Sequence, residues 1–126
     1  MKQTNPAKVQ EAQEMMKKLK ELRGGSLKKF HRMMANDPNL LNAFLSGYDL
    51  CNKKDTQIPR KYRELMLMIC GCARNAQTTI LTHGKLAHEN GASIEEIGEA
   101  LRIVMLTCGV TAIIPALELF DELEED

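Results

Sequence analysis

The feature that most constrains the fold of this chain is a repeat of apolar residues at the spacing of an α-helix. Between positions 8 and 23, apolar residues such as Ala12, Met16 and Leu19 recur at intervals of three and four, and Lys and Glu fill the opposite side. From position 65 to 73, apolar residues occupy nearly every face, which is typical of a helix at the centre of a fold. The sequence has no alternating strand pattern of useful length and no Asn-Gly or Asp-Gly hairpin signal. It therefore predicts an all-α protein.

Breaking and capping residues predict where the first three helices lie. The Gly24-Gly25 pair ends the first helix, and Ser26 is expected to cap a second helix that reaches about Ala35. The break at 36–38, which reads Asn-Asp-Pro, leads into a third helix that ends in a polar loop near 52–57.

Similar signals divide the second half of the chain. Pro59 is expected in the first turn of a fourth helix, and Asn75 is expected to cap the next helix, which stops at Gly91. Ser93 followed three residues later by Glu96 has the capping-box pattern and predicts the start of another helix.

A last helix is predicted from near Thr111 into the acidic residues 121–126, which brings the total to between five and seven helices.

The length of the chain sets the number of domains. The 126 residues suffice for one hydrophobic core but not for two ordinary domains. We therefore predict a single domain over residues 1–126, built as a multi-helix bundle.

Charge is balanced overall but unevenly distributed. Seventeen basic and 17 acidic residues cancel, so no net field attracts nucleic acid or an anionic membrane, and we expect neither as a partner. Residues 1–63 nevertheless carry a charge of +8 and residues 64–126 a charge of −8, counted from Lys, Arg, Asp and Glu. The two halves are expected to fold against each other or to pair between subunits.

The N-terminal residues predict a cytoplasmic protein. Residues 1–6 lead directly into a charged amphipathic stretch without an apolar signal segment. The longest uncharged run, residues 103–117, is fifteen residues long, whereas about 20 are needed to span a bilayer. All four cysteines lie within apolar helical patterns, namely Cys51, Cys70, Cys72 and Cys108. Their thiols are expected to be reduced.

One carboxylate and one imidazole are predicted to meet across a helical hairpin. Glu64 shares an apolar stripe with Met68 and Gly71, where a carboxylate is unusual, and His83 shares the inward stripe of the next helix with Ile80. Glu64 lies about ten residues before the predicted break and His83 about eight residues after it. The two side chains are therefore expected at similar heights along the helical hairpin. Such a pair provides general acid or base chemistry, or alternatively serves as a buried structural pair.

The other two histidines do not suggest a metal site. His31 lies among Lys28, Lys29 and Arg32 and is predicted to be on the surface, while His88 lies on a different side of its helix from His83. Neither has the spacing of a zinc ligand set, so no metal is predicted.

The order and spacing of these residues resemble a known superfamily. Over roughly residues 40–120 the chain resembles the carboxymuconolactone decarboxylase and alkylhydroperoxidase D superfamily. The residues that carry the resemblance are Arg63-Glu64-Leu65, His83, Ala87, Gly91-Ala92-Ser93, Glu95-Glu96-Ile97, Glu99-Ala100-Leu101, Gly109 and Ala116-Leu117. The resemblance implies an all-helical fold of the alkylhydroperoxidase D-like type and homo-oligomers, commonly trimers or hexamers.

The resemblance also separates two chemistries. Its peroxidase branch carries a Cys-x-x-Cys pair between the Glu and the His, which lie nineteen positions apart, as Glu64 and His83 do here. The two cysteine positions are Ala76 and Thr79 in this chain, so the thiolate chemistry of that branch has no residue there. Two alternatives stay open: a thiol-dependent peroxidase that uses non-standard cysteines, for which Cys72 and Cys108 are a conceivable long-range pair, and a non-catalytic oligomeric module.

The decarboxylase branch implies a lyase without metal or organic cofactor. His83 would protonate the carbon that loses carbon dioxide from a small lactone carboxylate, and Glu64 would orient the ring. The substrate is expected to lie against Asn75, Ala76 and Thr79, because the start of a helix favours an anionic group. Arg63 and Arg74 are candidate additional cations.

Overall fold

The chain is helical in two compact units. The computed structural model describes residues 1–53 and 56–123, and the units comprise residues 1–56 and 57–126. All regular structure within the described ranges is helical, which confirms the predicted all-α class. Within those ranges, no helix is long and apolar enough to cross a membrane. The single domain and the cytoplasmic location stay predictions.

The first unit contains three helices. These are α1 (Pro6–Leu22), α2 (Lys29–Met34) and α3 (Pro38–Asn52). The Asn5 side chain caps α1 by accepting the backbone N–H of Ala7 at 3.1 Å, and Asp37 caps α3 in the same way. The fully buried residues of the apolar core are Ala12, Leu19, Ala35 and Leu41. Of the predicted loop at 52–57, positions 54 and 55 lie outside the described residues.

Two predictions about α2 were wrong. The N-cap is Lys28 and not Ser26, and the Lys28 backbone N–H donates to Nδ1 of His31 at 2.9 Å. His31 is also fully buried, although we predicted it on the surface. Its ring packs against Phe30 and Phe44, with ring centroids 4.0 and 5.2 Å away. A helix of six residues still has an inward side, and His31 lies on it while its charged neighbours point elsewhere.

The second unit is built around a helical hairpin. Its helices are α4 (Arg60–Ala73), α5 (Gln77–Glu89), α6 (Ile94–Cys108), α7 (Val110–Ile113), a 3₁₀ turn (Ile114–Leu117) and α8 (Glu118–Leu123). The core residues are Leu65, Met68, Cys72, Ile80, Ala87, Ala92, Ile97, Ala100, Leu101, Val104, Ala116, Leu119 and Leu123. The predicted capping box of α6 is confirmed, since Ser93 Oγ accepts the Glu96 N–H at 3.1 Å and Glu96 accepts the Ser93 N–H at 3.0 Å.

The turn between α4 and α5 differs from the predicted cap. Asn75 does not cap α5, whose N-cap is Ala76 without a side-chain hydrogen bond. Asn75 instead has a φ of 53° and ends α4. The Ala76 N–H donates to the Gly71 carbonyl at 2.9 Å and the Asn75 N–H to the Cys72 carbonyl at 3.1 Å, which is a Schellman motif. Asparagine tolerates this left-handed conformation, and this explains its place in the turn.

The boundaries at the two ends of the unit also shift. Pro59 is the N-cap of α4 and not a first-turn residue. The predicted continuous last helix is wrong, because the segment is divided into α7, the 3₁₀ turn that contains Pro115, and α8. Proline removes a backbone donor and so disfavours an uninterrupted helix. Residues 124–126 of the acidic segment lie outside the described residues.

Candidate functional site

The site begins with a close approach of α4 and α5. Gly71 makes this approach possible, because a Cβ at that position would lie 3.0 Å from the backbone nitrogen of Ile80 and 3.1 Å from the methyl group of Thr79. The tight packing places one face of α4 directly against α5. Glu64 lies on that face, two turns before Gly71, and only 3% of the residue is exposed.

Glu64 and His83 form the predicted contact. His83 Nδ1 lies 2.6 Å from Glu64 Oε2, a short distance that is typical of a charge-assisted hydrogen bond. The Glu64 carboxylate also receives a longer contact of 3.4 Å from Arg60 Nε to Oε1. The two oxygens of one buried carboxylate therefore hold an imidazole and a guanidinium.

The contact determines which nitrogen of His83 is available for chemistry. A carboxylate accepts hydrogen bonds, so Nδ1 of His83 carries the proton that faces Glu64. Nε2 has no hydrogen-bond partner among residues 1–53 and 56–123, yet it is not a fully buried atom, and 25% of the side chain is exposed. The ring is thus held at Nδ1 by Glu64, while its other nitrogen, Nε2, is accessible to solvent.

The electrostatics of the site keep Glu64 ionised. Burial by itself raises the pKa of the Glu64 carboxyl group. The hydrogen bond and charge of His83, together with the charge of Arg60, outweigh burial and lower the pKa below its ordinary value. A negative charge is therefore held beside the imidazole near neutral pH.

Asn75, Ala76 and Thr79 lie on the same hairpin, at decreasing distance from His83. Thr79 is half-buried one turn before His83, Ala76 is half-buried at the start of α5, and Asn75 is exposed in the turn. With a rise of about 1.5 Å per residue, Asn75 stands roughly 12 Å from His83 along the helix axis. Their contact with a substrate stays a prediction.

Sequence reasoning missed Arg60 and named two other arginines. Arg63 is half-buried and its Nε donates to the Ile58 carbonyl at 3.1 Å, while Arg74 is exposed at the opposite end of α4. Arg60 is one helical turn before Glu64, and this i, i+4 spacing between an arginine and a glutamate was visible in the sequence.

The family follows from the residues that surround this pair. The model of the carboxymuconolactone decarboxylase family matches residues 38–122, which include Arg60, Glu64 and His83. This chain belongs to that family. The helices α1 and α2 precede the matched region.

Comparison with solved structures gives the same fold. A crystal structure of a candidate carboxymuconolactone decarboxylase from Burkholderia xenovorans LB400 superposes with a TM-score of 0.78. The similarity covers 90% of this chain and 94% of the other, at 22% sequence identity, and therefore shows that the two share a fold. No curated protein is significantly similar in sequence.

The four cysteines of this family member form no disulfide with one another. All four are free thiols; Cys70 is exposed and Cys72 is buried, so they lie on different sides of α4 as expected. Burial raises the pKa of the Cys72 thiol, and the nearby Cys108 raises it further. A buried thiol with a raised pKa is a poor source of the thiolate that peroxide chemistry requires.

Two further observations concern metal ligands and a surface groove away from the Glu64–His83 pair. No group of three potential metal ligands occurs in the part of the chain that the structure describes. A surface groove of about 620 Å³ lies between α1 and α3 of the first unit and is lined by residues such as Leu22, Leu45 and Asp49. None of the candidate site residues lines this groove.

Proposed function

We propose that this chain is a lyase of the carboxymuconolactone decarboxylase family that removes carbon dioxide from a small lactone carboxylate by cofactor-free acid–base catalysis. The observation that supports this function is the 2.6 Å contact of His83 Nδ1 with Glu64, combined with an outer Nε2 that reaches solvent. A fixed ring with one open nitrogen is the arrangement that a proton donor requires.

The proposed reaction has two steps. The bond between the lactone carbon and its carboxylate breaks, carbon dioxide leaves, and the electron pair moves into the conjugated lactone carbonyl to form an enolate. The enolate carbon then takes the proton from Nε2 of the protonated His83. The ring regains a proton from water, and the Glu64 carboxylate keeps the ring oriented by accepting the hydrogen bond from Nδ1.

Carbon dioxide release from unsaturated lactone carboxylates tests this function. The variant His83→Gln is expected to lower kcat by about 100-fold or more, as is usual for loss of a general acid. His88→Gln is the matched control on the same helix, because His88 Nδ1 lies 2.9 Å from the Ala92 carbonyl oxygen and takes no part in the pair. Equal rates for wild type and His83→Gln would remove His83 from the mechanism.

The two alternatives give different outcomes in the same assays. A thiol peroxidase would turn over hydroperoxides and lose that activity when all four cysteines are replaced by serine. A non-catalytic module would show neither reaction, and Glu64→Gln and His83→Gln would change only its stability or assembly. The buried position of Cys72 favours the decarboxylase over the peroxidase.

We also propose that the chain assembles into a homotrimer or homohexamer. Large apolar side chains are exposed along the end of α6 and the segments after it, namely Ile103, Met105, Leu106, Val110, Ile114 and Leu117. Leu106 is 86% exposed, and clustered apolar exposure of this kind is typical of subunit interfaces.

The oligomeric state of two variants tests the proposed assembly. Leu106→Glu is expected to dissociate the oligomer in light-scattering or sedimentation measurements, while Arg102→Gln, an exposed change on the same helix, is expected to leave it intact. A monomeric wild type, or an oligomer that Leu106→Glu does not disturb, would contradict the proposal.

A further inference from the structure

Thr79 packs against α4 through its methyl group. The methyl carbon lies 3.1 Å from the position that a Cβ on Gly71 would occupy, so the glycine leaves space for it. A threonine Cβ carries one methyl group and one hydroxyl group, and its side chain adopts only a few staggered rotamers. The contact of the methyl group with α4 therefore limits the directions in which the hydroxyl group can point.

The hydroxyl group of Thr79 has no hydrogen-bond partner in the part of the chain that the structure describes. Its oxygen is not a fully buried atom, although the residue as a whole is half-buried. A helical threonine often donates to a carbonyl three or four residues earlier, as Thr107 does to Ile103 at 2.9 Å. The carbonyl four residues before Thr79 is that of Asn75, which has a φ of 53° and lies in the turn. The hydroxyl group is therefore available to a ligand.

Thr79 and His83 are arranged in the same way on α5. They are four residues apart, which places both side chains on one face of the helix with about 5 to 6 Å between their Cβ atoms. Gly71 accommodates the Thr79 methyl group, and Glu64 accepts the hydrogen bond from His83 Nδ1. The second polar atom of each contact face, Oγ1 or Nε2, is accessible to solvent. One face of the hairpin therefore presents a hydroxyl group and an imidazole, one helical turn apart.

We propose that the Thr79 hydroxyl donates a hydrogen bond to the lactone carbonyl oxygen of the substrate and stabilises the enolate oxygen that forms there. This inference rests on the proposed decarboxylase function. When carbon dioxide leaves, the electron pair moves into the carbonyl group and its oxygen becomes negatively charged. A hydrogen bond to a charged oxygen is stronger than one to a neutral carbonyl, so the interaction lowers the barrier to this step. The hydroxyl keeps its proton throughout.

The spacing of the two side chains fits this role. The enolate carbon that takes the proton from His83 is two bonds away from the enolate oxygen. A small lactone ring beside α5 can therefore direct its oxygen toward Thr79 Oγ1 and its carbon toward His83 Nε2 at the same time. Thr79 would thus be a second catalytic residue, which stabilises charge while His83 supplies the proton.

Binding of an enolate analogue tests this inference without turnover. Tetronate is a five-membered lactone anion whose negative charge is delocalised onto the lactone carbonyl oxygen, and its methyl ether is the neutral counterpart. Calorimetric titration measures the Kd of each compound. Thr79→Val removes the hydroxyl group and keeps the branched shape that contacts Gly71. It is expected to weaken binding of tetronate by about tenfold or more, and of the ether by less than about threefold.

Two further variants provide controls. Thr79→Ser keeps the hydroxyl group without the methyl group, and it is expected to bind tetronate within about threefold of the wild type. Thr78→Val makes the matched substitution at the adjacent threonine, which is exposed on α5, and is expected to leave both Kd values unchanged. The pair separates loss of a hydroxyl group from loss of packing.

Turnover provides a second measurement. In the carbon dioxide assay, Thr79→Val is expected to lower kcat by about 100-fold, because the hydrogen bond is strongest when the oxygen is charged. The KM is expected to change less than the kcat, since the substrate carbonyl is neutral before the reaction.

The outcomes distinguish this inference from the proposed function. Binding of tetronate that depends on the Thr79 hydroxyl, without carbon dioxide release from any lactone carboxylate, would support Thr79 as an oxyanion donor and refute decarboxylation. Carbon dioxide release that Thr79→Val leaves unchanged would retain the decarboxylase and overturn this inference. Equal weakening of tetronate and its ether would show a role in packing alone and overturn it, as would a wild type that does not bind tetronate.

Discussion

His83 and Glu64, nineteen residues apart in the chain, meet with 2.6 Å between Nδ1 and Oε2 at the interface of α4 and α5. The carboxylate is almost completely buried, whereas the imidazole keeps its outer nitrogen accessible. One contact therefore combines a stabilising interaction of the hairpin with a group that can exchange protons with a ligand. The two roles can be separated by experiment.

Removal of the Glu64 carboxylate is expected to destabilise the fold. Glu64→Ala is expected to lower the free energy of unfolding by about 1 to 3 kcal/mol, because it leaves His83 Nδ1 without its acceptor and opens a gap beside the core. Urea unfolding followed by circular dichroism measures this loss. Glu99→Ala is the matched control, since Glu99 is exposed and its ion pair is with the exposed Arg102, and it is expected to change stability by less than about 0.5 kcal/mol.

The contribution of Glu64 is also expected to depend on pH. Its folded-state pKa is lowered from the ordinary value of 4.5, so the stabilisation is complete above that value and disappears as the pH falls through the folded pKa. The difference in stability between wild type and Glu64→Gln is therefore expected to shrink on acidification. A difference that grows toward low pH would contradict the ionised state of Glu64.

His31 is expected to make the protein sensitive to mild acid. Burial, followed by the charges of Arg23, Lys28 and Arg32, lowers the pKa of His31 from 6.5 to about 4. Between these values the unfolded chain binds the proton and the folded chain does not, so folding stability is expected to fall as the pH decreases from 6.5 to about 4. The loss attributable to His31 amounts to at most about 3 kcal/mol.

Comparison with His31→Gln isolates this effect. The variant lacks the titrating group, and its stability is expected to decline less steeply over the same pH range in urea unfolding. NMR titration of the His31 ring protons provides the direct measurement. A midpoint near the ordinary value of 6.5 would show that the ring is not held neutral by its surroundings.

Gly84 is expected to be irreplaceable on α5. A Cβ there would overlap with the side chain of Leu119, which is fully buried and would have to shift within the core. Gly84→Ala is therefore expected to destabilise by about 1 to 3 kcal/mol. Gly98→Ala on α6 is the control: a Cβ meets nothing within 4 Å, and the better helix propensity of alanine is expected to stabilise by up to about 1 kcal/mol. Thermal unfolding of both variants compares the two effects.

The capping box of α6 is expected to contribute measurably. Ser93→Ala removes the acceptor for the Glu96 N–H and is expected to cost about 1 kcal/mol in the free energy of unfolding. Ser46→Ala, an exposed change within α3, is the control and is expected to be nearly neutral. Equal effects of the two substitutions in urea unfolding would show that the cap has no special role.

Local sequence patterns were sufficient for much of the second unit. The capping box at Ser93 and Glu96 was predicted correctly because its donors and acceptors lie within four residues of each other. The pairing of Glu64 with His83 was predicted because a tight turn sets the register of two helices, and equal distances from the turn bring residues level. The i, i+4 relation of Arg60 to Glu64 was equally local, and this spacing is by itself enough to predict the contact.

The sequence by itself determined the helical class and the level at which Glu64 and His83 face each other, since these follow from periodicity and spacing along one chain. The family followed from the resemblance, which the match of the family model over residues 38–122 confirmed. Only the tertiary structure decided which surfaces are covered. It buried His31 against Phe44 of another helix despite its charged neighbours, and it left Nε2 of His83 open while Glu64 was enclosed. The physical reason is that burial depends on contacts between distant segments, and periodicity specifies the side of a helix but not its neighbour.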